Sequence, residues 1–280
     1  MKTKLVTIGK ILLSTIGVMA IFTAIIGTGN YLQSHSFKYI GNILMIFFPI
    51  AVYGYVYLLN KKINGLALSD YGFTFRKFFK NTVVGFFWAT AIIALSTLGV
   101  IFLLGCTIEF APLKENFAKP LVSLVSILVI VGIWEEFFFR GFVFNTLVKA
   151  KFGFHWSALI SALLFSVIHW SSFDMDETSW LWYVGIIFLG YLLVVMYTLT
   201  KSIWSAVSFH FFWNLYSSLM DGNENEIGVF SISNYAVYSK NIDDITVITI
   251  GLVLGGLLII KNKTLKKLYP TKTMFTFPGN

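Results

Sequence analysis

Apolar runs of about twenty residues recur along the whole chain, each closed by a short basic, acidic or Gly/Pro interruption. A run of about 20 apolar residues is what an α-helix needs to cross the hydrocarbon core of a bilayer. The runs fall at about 5–29, 39–60, 82–104, 120–148, 155–172, 179–200, 202–220 and 245–260, which predicts eight spanning helices. The first follows Lys2 and Lys4 as a signal peptide would. It is too long for one and has no small-x-small cleavage site before Asn30, so it is expected to be a retained span. Between the second and third runs, 63–80 is a polar-aromatic segment with Arg76, Lys77 and Lys80, whose S-D-Y-G-F-T-F-R-K-F-F-K pattern (69–80) reads as an interfacial amphipathic piece. A loop with Glu109, Pro112, Lys114 and Glu115 leads to Pro120, a helix-opening proline. The fifth run ends in the acidic cluster Asp174, Asp176, Glu177, and 221–244 is expected to be the longest loop, acidic and polar. The prediction is an all-α polytopic membrane protein, with residues 1–280 forming one integral-membrane domain that has neither an internal repeat nor a Pro-rich linker.

Composition agrees: 57% of residues are hydrophobic, only 12% are charged, and the mean hydropathy is +0.78. The net charge of +8 would suggest a nucleic-acid partner, but the basic residues sit in short clusters at the ends of apolar runs and form no stripe. With the N-terminus cytoplasmic, eight spans put both termini on one side, and only Lys38, Lys114, Lys119 and Lys240 lie outside while Arg140 is within the membrane. That is a strong positive-inside bias, so the partner indicated is a lipid bilayer, not nucleic acid. The single cysteine, Cys106, excludes an internal disulfide and any multi-thiolate metal site, and reads as a buried small hydrophobe.

Chemistry concentrates in Trp134-Glu135-Glu136-Phe137-Phe138-Phe139-Arg140-Gly141, where two acids and an arginine interrupt the fourth span. Ionisable groups at that depth are costly and mark function. Glu136 and Arg140 are four apart on one helix face, so Arg140 can neutralise and orient Glu136. Glu135 sits about 100° away on the helical wheel and has no such local partner, which makes it the first candidate for chemistry. The apolar spans hold two further deep imidazoles: His169 on the fifth, and His210 on the seventh, followed one turn later by Asn214. Counting about 1.5 Å per residue from the helix ends puts Glu135, His169 and Asn214 at similar depth, with His210 one turn shallower. Each could be interhelical hydrogen-bond glue, but glue requires neither two carboxylates nor this mixture of acid, base and amide. His35 and His155 lie near span ends and read as interfacial.

A carboxylate paired with an imidazole can take a proton from water and aim the hydroxide at a carbonyl, while His210 and Asn214 donate to the oxyanion. Alternatively, Glu135, His169 and His210 could ligate zinc, with a water in the fourth position. The local H-E-x-x-H signature is absent, so zinc would rest on tertiary geometry. No Gly-x-Ser-x-Gly or triad spacing supports a serine nucleophile.

These residues resemble the CPBP family, the CAAX-protease and bacteriocin-processing (Abi) intramembrane proteases. The family's E-E-x-x-x-R motif is similar to Glu135, Glu136 and Arg140; its F-x-x-x-H to Phe165 and His169; its H-x-x-x-N to His210 and Asn214. All three occur in family order within a core of about 120–220. The resemblance implies an intramembrane endopeptidase in which Glu135 and His169 activate water and His210 with Asn214 forms the oxyanion site. It also implies a membrane-associated peptide or protein substrate, as in pheromone or bacteriocin processing or self-immunity, and a bacterial plasma-membrane location. A Lys-, Ile-, Phe- and Asn-rich composition fits a low-GC bacterium and argues against prenylated CAAX tails as substrates. A non-catalytic immunity or regulatory protein that binds a partner through the same fold is the alternative. A proton-coupled carrier is a third reading, opposed by the lack of inverted repeats.

Overall fold

In lipid, every backbone amide and carbonyl must be satisfied within the chain, so apolar runs of this length become helices. The computed structural model describes residues 2–35, 37–114, 117–169, 180–220 and 228–268. Its helices are α1 (Lys2–Phe22), α2 (Thr28–Ser34), α3 (Lys38–Leu59), α4 (Phe78–Leu104), α5 (Ala118–Glu136), α6 (Asn145–Lys149), α7 (Phe154–Ile168), α8 (Trp180–Thr200), α9 (Ile203–Leu219) and α10 (Tyr235–Leu268). A π-helical stretch, Thr23–Gly27, joins α1 to α2 as one rod, and a second, Phe137–Phe144, joins α5 to α6. Among the described residues, five rods are long and apolar enough to cross a membrane: Thr3–Ser34, Phe78–Leu104, Ala118–Lys149, Trp180–Thr200 and Asn241–Leu268. Helix α7 is a shorter apolar helix. The chain is an integral, multi-pass membrane protein of helical architecture.

Helix α9 is the hub. It starts sharply because Lys201 takes a left-handed conformation (φ 53°) after α8, and the Ser202 hydroxyl then caps the Trp204 amide. On one side its backbone meets that of α4: a Cβ at Gly85 would lie 2.3 Å from the Ser205 carbonyl oxygen, so only glycine allows this approach. The Ser208 hydroxyl donates to the Thr82 carbonyl across the same seam at 2.7 Å. On other sides α9 packs against α5 and α8, and α8 in turn packs against α7 and α10. Gly190 of α8 faces Ala162 of α7, where a Cβ would stand 3.1 Å from the alanine Cα. The apolar core between these helices is dominated by phenylalanines, with Phe138, Phe139, Phe142, Phe144, Phe165 and Phe209 fully buried.

Three features depart from the sequence reading. First, two short strands, β1 (Ile108–Phe110) and β2 (Phe230–Ile232), pair antiparallel with Glu109 opposite Ser231; three-residue strands are too short to show a period. Second, α10 begins at Tyr235, so part of the stretch expected as loop 221–244 is helical; its first turns are polar, which hides them from a hydropathy pattern. Tyr238 is nevertheless buried there, in a satellite cluster with Val100, Cys106 and Ile232. Third, α10 continues through the basic residues to Leu268. The acidic cluster Asp174, Asp176, Glu177 and residues 221–227 lie outside the described residues.

Candidate active site

The π-helical stretch is where the sequence's charged motif falls. Glu135 and Glu136 are the last residues of α5, and Arg140 lies inside Phe137–Phe144. An interior π segment widens the turn and frees carbonyls from the regular ladder, and such segments are frequent at functional sites. Asn145 takes up those carbonyls: its amide nitrogen lies 3.0 Å from the oxygens of both Arg140 and Gly141, and 2.9 Å from the Tyr197 hydroxyl of α8. Asn145 was not singled out in the sequence; a buried amide five residues after an intramembrane arginine is the signal that was there to use.

Arg140 and Glu136 form a fully buried ion pair, with Nη1 donating to Oε1 at 2.7 Å. Nη2 donates to the Gly190 carbonyl at 3.2 Å, and the guanidinium carbon lies 4.6 Å from the centre of the Phe165 ring. The same Glu136 oxygen accepts from His210 Nδ1 at 3.0 Å. Arg140, Glu136 and His210 are thus linked through one carboxylate oxygen, across α5, the π segment and α9.

Glu135 is 5% exposed and points to the other side of this chain of bonds. Its Oε2 lies 3.8 Å from His210 Nε2 and 3.9 Å from His169 Nε2. His169 caps the C-terminus of α7, and its Nδ1 is 2.7 Å from the Phe165 carbonyl. A carbonyl only accepts, so Nδ1 carries a proton, and Nε2 faces Glu135. At 26% exposure His169 is the accessible member of the cluster, whereas His210 is 4% exposed. The structure therefore brings Glu135, Glu136, Arg140, His169 and His210 together from three helical rods.

Asn214 lies one turn beyond His210 on α9, half-buried, and its side chain makes no hydrogen bond among the described residues. The depth count is corrected here: His210, not Asn214, stands level with the glutamates, because counting from helix ends ignores tilt. His155 is more than interfacial, since its two ring nitrogens engage the Tyr191 hydroxyl at 2.6 Å and Asn262 Oδ1 at 2.9 Å, tying α7, α8 and α10 together. His35 is exposed at the end of α2.

Zinc can be tested against these positions. Two ligands about 2.1 Å from a tetrahedral zinc stand about 3.4 Å apart, and the 3.8 and 3.9 Å from Glu135 Oε2 to the imidazoles are wider. Among the described residues no three His, Cys, Asp or Glu side chains are gathered as metal ligands. The carboxylate and the imidazoles thus stand about half an ångström farther apart than in a closed tetrahedral zinc site. Gaps just under 4 Å between polar atoms are of the size that one bridging water closes.

Fold and site together define a polytopic membrane protein with a carboxylate–imidazole cluster buried in its helical bundle. Residues 117–216 of the 280 match the family described as Type II CAAX prenyl endopeptidase Rce1-like. That segment holds all five clustered residues and Asn214, and the match agrees with the CPBP assignment drawn from the motifs. Over that segment the chain is similar to the CAAX-protease-like intramembrane endopeptidases. No curated protein matches the chain.

Proposed function

We propose that this protein is a glutamate-dependent intramembrane endopeptidase that hydrolyses a peptide bond in a membrane-associated peptide or protein with an activated water. The observation that carries this reading is the placement of one buried carboxylate oxygen, Glu135 Oε2, within 4 Å of two imidazole Nε2 atoms. A water there donates one hydrogen to Glu135 and the other to the His169 lone pair. His210 completes the set as an imidazolium: its Nδ1–H is held by Glu136, and its Nε2–H points to the water or to the oxyanion that replaces it. The charges then sum to zero, with Arg140 and His210 balancing Glu135 and Glu136, as a low-dielectric interior favours.

In the reaction the water oxygen bonds to the scissile carbonyl carbon, and its proton passes to Glu135. The oxyanion receives hydrogen bonds from His210 and, on a swing of its side chain, from Asn214. Collapse breaks the C–N bond as Glu135 returns the proton to the leaving amine. Residues Glu136 and Arg140 touch no reacting atom in this scheme; they position and charge His210. Substrate enters on the exposed side of His169. In a bacterial plasma membrane, peptide pheromone or bacteriocin processing, or self-immunity, fits such an activity.

The test is cleavage of a panel of membrane-anchored peptides by the purified protein in liposomes, with Glu135→Ala beside the wild type and a zinc chelator in parallel. Expected are cleavage by the wild type with or without chelator, and none by an inserted, folded Glu135→Ala. Loss with chelator and recovery with zinc would overturn the metal-free chemistry. Protection or regulation that survives Glu135→Ala would replace the enzyme with a non-catalytic binding protein.

A further inference from the structure

A cavity open on one side lies away from the glutamates, between α4, α8, α9 and α10, with a volume of about 420 Å³. That is the size range of small-molecule sites, which are mostly apolar with a few directed polar groups. None of Glu135, Glu136, Arg140, His169 and His210 lines it.

Its lining changes character along the helix axes. At the end near the β1/β2 pair stand Thr97, Trp182, Asp243 and Thr246, and at the inner end stand Ile93, Leu189, Trp213 and Ile250. Seven residues separate Asp243 from Ile250, a depth of about 10 Å. Between the two ends Ser96 is part of the wall, and it is 2% exposed. Beside the cavity α8 and α10 approach closely, where a Cβ on Gly185 would lie 2.9 Å from Val247 Cγ2.

We infer that this cavity binds a single-chain cationic amphiphile, its ammonium group at Asp243 and its alkyl chain on the floor formed by Ile93, Leu189, Trp213 and Ile250. A carboxylate at the mouth selects a cation over an anion of the same length. A chain of about eight to ten carbons fills the depth. The inference does not depend on the protease reading, since it concerns binding in a separate chamber.

The probe is decylamine carrying a diazirine at the tail, photolysed with the full-length protein in phosphatidylcholine nanodiscs and mapped by peptide mass spectrometry. Labelling is expected at Ile93, Leu189 or Ile250, displaced by unlabelled decylamine and at least about tenfold less well by decanoic acid. Asp243→Asn, at the partly exposed mouth, should weaken labelling about tenfold, and Ser96→Leu should abolish labelling of the floor by filling it. If Ser96→Leu does not fold, the Asp243→Asn arm decides. Labelling confined to outward-facing side chains such as Leu252 and Ile259, equal competition by decanoic acid, or unchanged labelling of Asp243→Asn would overturn the inference.

Discussion

Replacing Arg140 with methionine removes a cation that is 1% exposed and leaves the wholly buried Glu136 to share the His210 charge with Glu135, one cation short of balance. Two hydrogen bonds go with it, the 2.7 Å bond to Glu136 and the 3.2 Å bond to the Gly190 carbonyl. Breaking a buried pair by deleting one partner costs about 3–5 kcal/mol, mostly the penalty of the orphaned charge. Methionine retains most of the volume against Phe165, so packing adds little to that figure. Glu136→Gln in the same background removes the orphaned charge, while the glutamine oxygen can still accept from His210. The double variant should therefore recover about 2 kcal/mol or more relative to the sum of the single changes. The assay is a double-mutant cycle on unfolding in detergent, followed by the Trp emission. An Arg140→Met penalty below about 1 kcal/mol, or strict additivity of the two changes, would refute the claim that one ion pair organises this side of the site.

Three further outcomes follow from the packing. Gly85→Ala places a Cβ 2.3 Å from the Ser205 carbonyl oxygen, so folded monodisperse protein should be lost in size-exclusion chromatography, whereas Gly54→Ala, with nothing within 4 Å, should behave as wild type. Asn145→Ala strips partners from two buried carbonyls and the Tyr197 hydroxyl and should cost about 2–3 kcal/mol in the same unfolding assay. His155→Phe breaks the ties to Tyr191 and Asn262 and should lower stability by about 1–2 kcal/mol while leaving peptide cleavage unchanged, which separates this imidazole from His169 and His210.

The helices were legible because lipid enforces a simple rule on long apolar runs, and each run contains a helix. The Glu136–Arg140 pair could be read from a spacing of four, since residues so spaced meet on one helix face. What joins Glu135 to His169 and His210 could not be, because it depends on how α5, α7 and α9 pack. That packing rests on glycines such as Gly85 and Gly190, whose importance appears only when the opposing backbone is known. The π-helical stretch was equally hidden: nothing in the composition of Phe137–Phe144 marks a widened turn, and the bonds from Asn145, Thr146 and Ser161 to its carbonyls show how the turn is held. The two paired strands fell below the length at which alternation can be seen, and the polar start of α10 resembled a loop because helices outside the apolar core need not be hydrophobic.

The measurement that bears most directly on the account is the single-turnover rate of cleavage of one membrane-anchored peptide by wild type and by Glu135→Gln, in liposomes at matched protein content. Glutamine keeps the shape of the side chain but cannot take the proton, so a fall of about 10²–10⁴-fold with an unchanged unfolding midpoint is expected. A Glu135→Gln enzyme that cleaves within about tenfold of wild type would show that Glu135 is not the base, and would contradict the mechanism built on it.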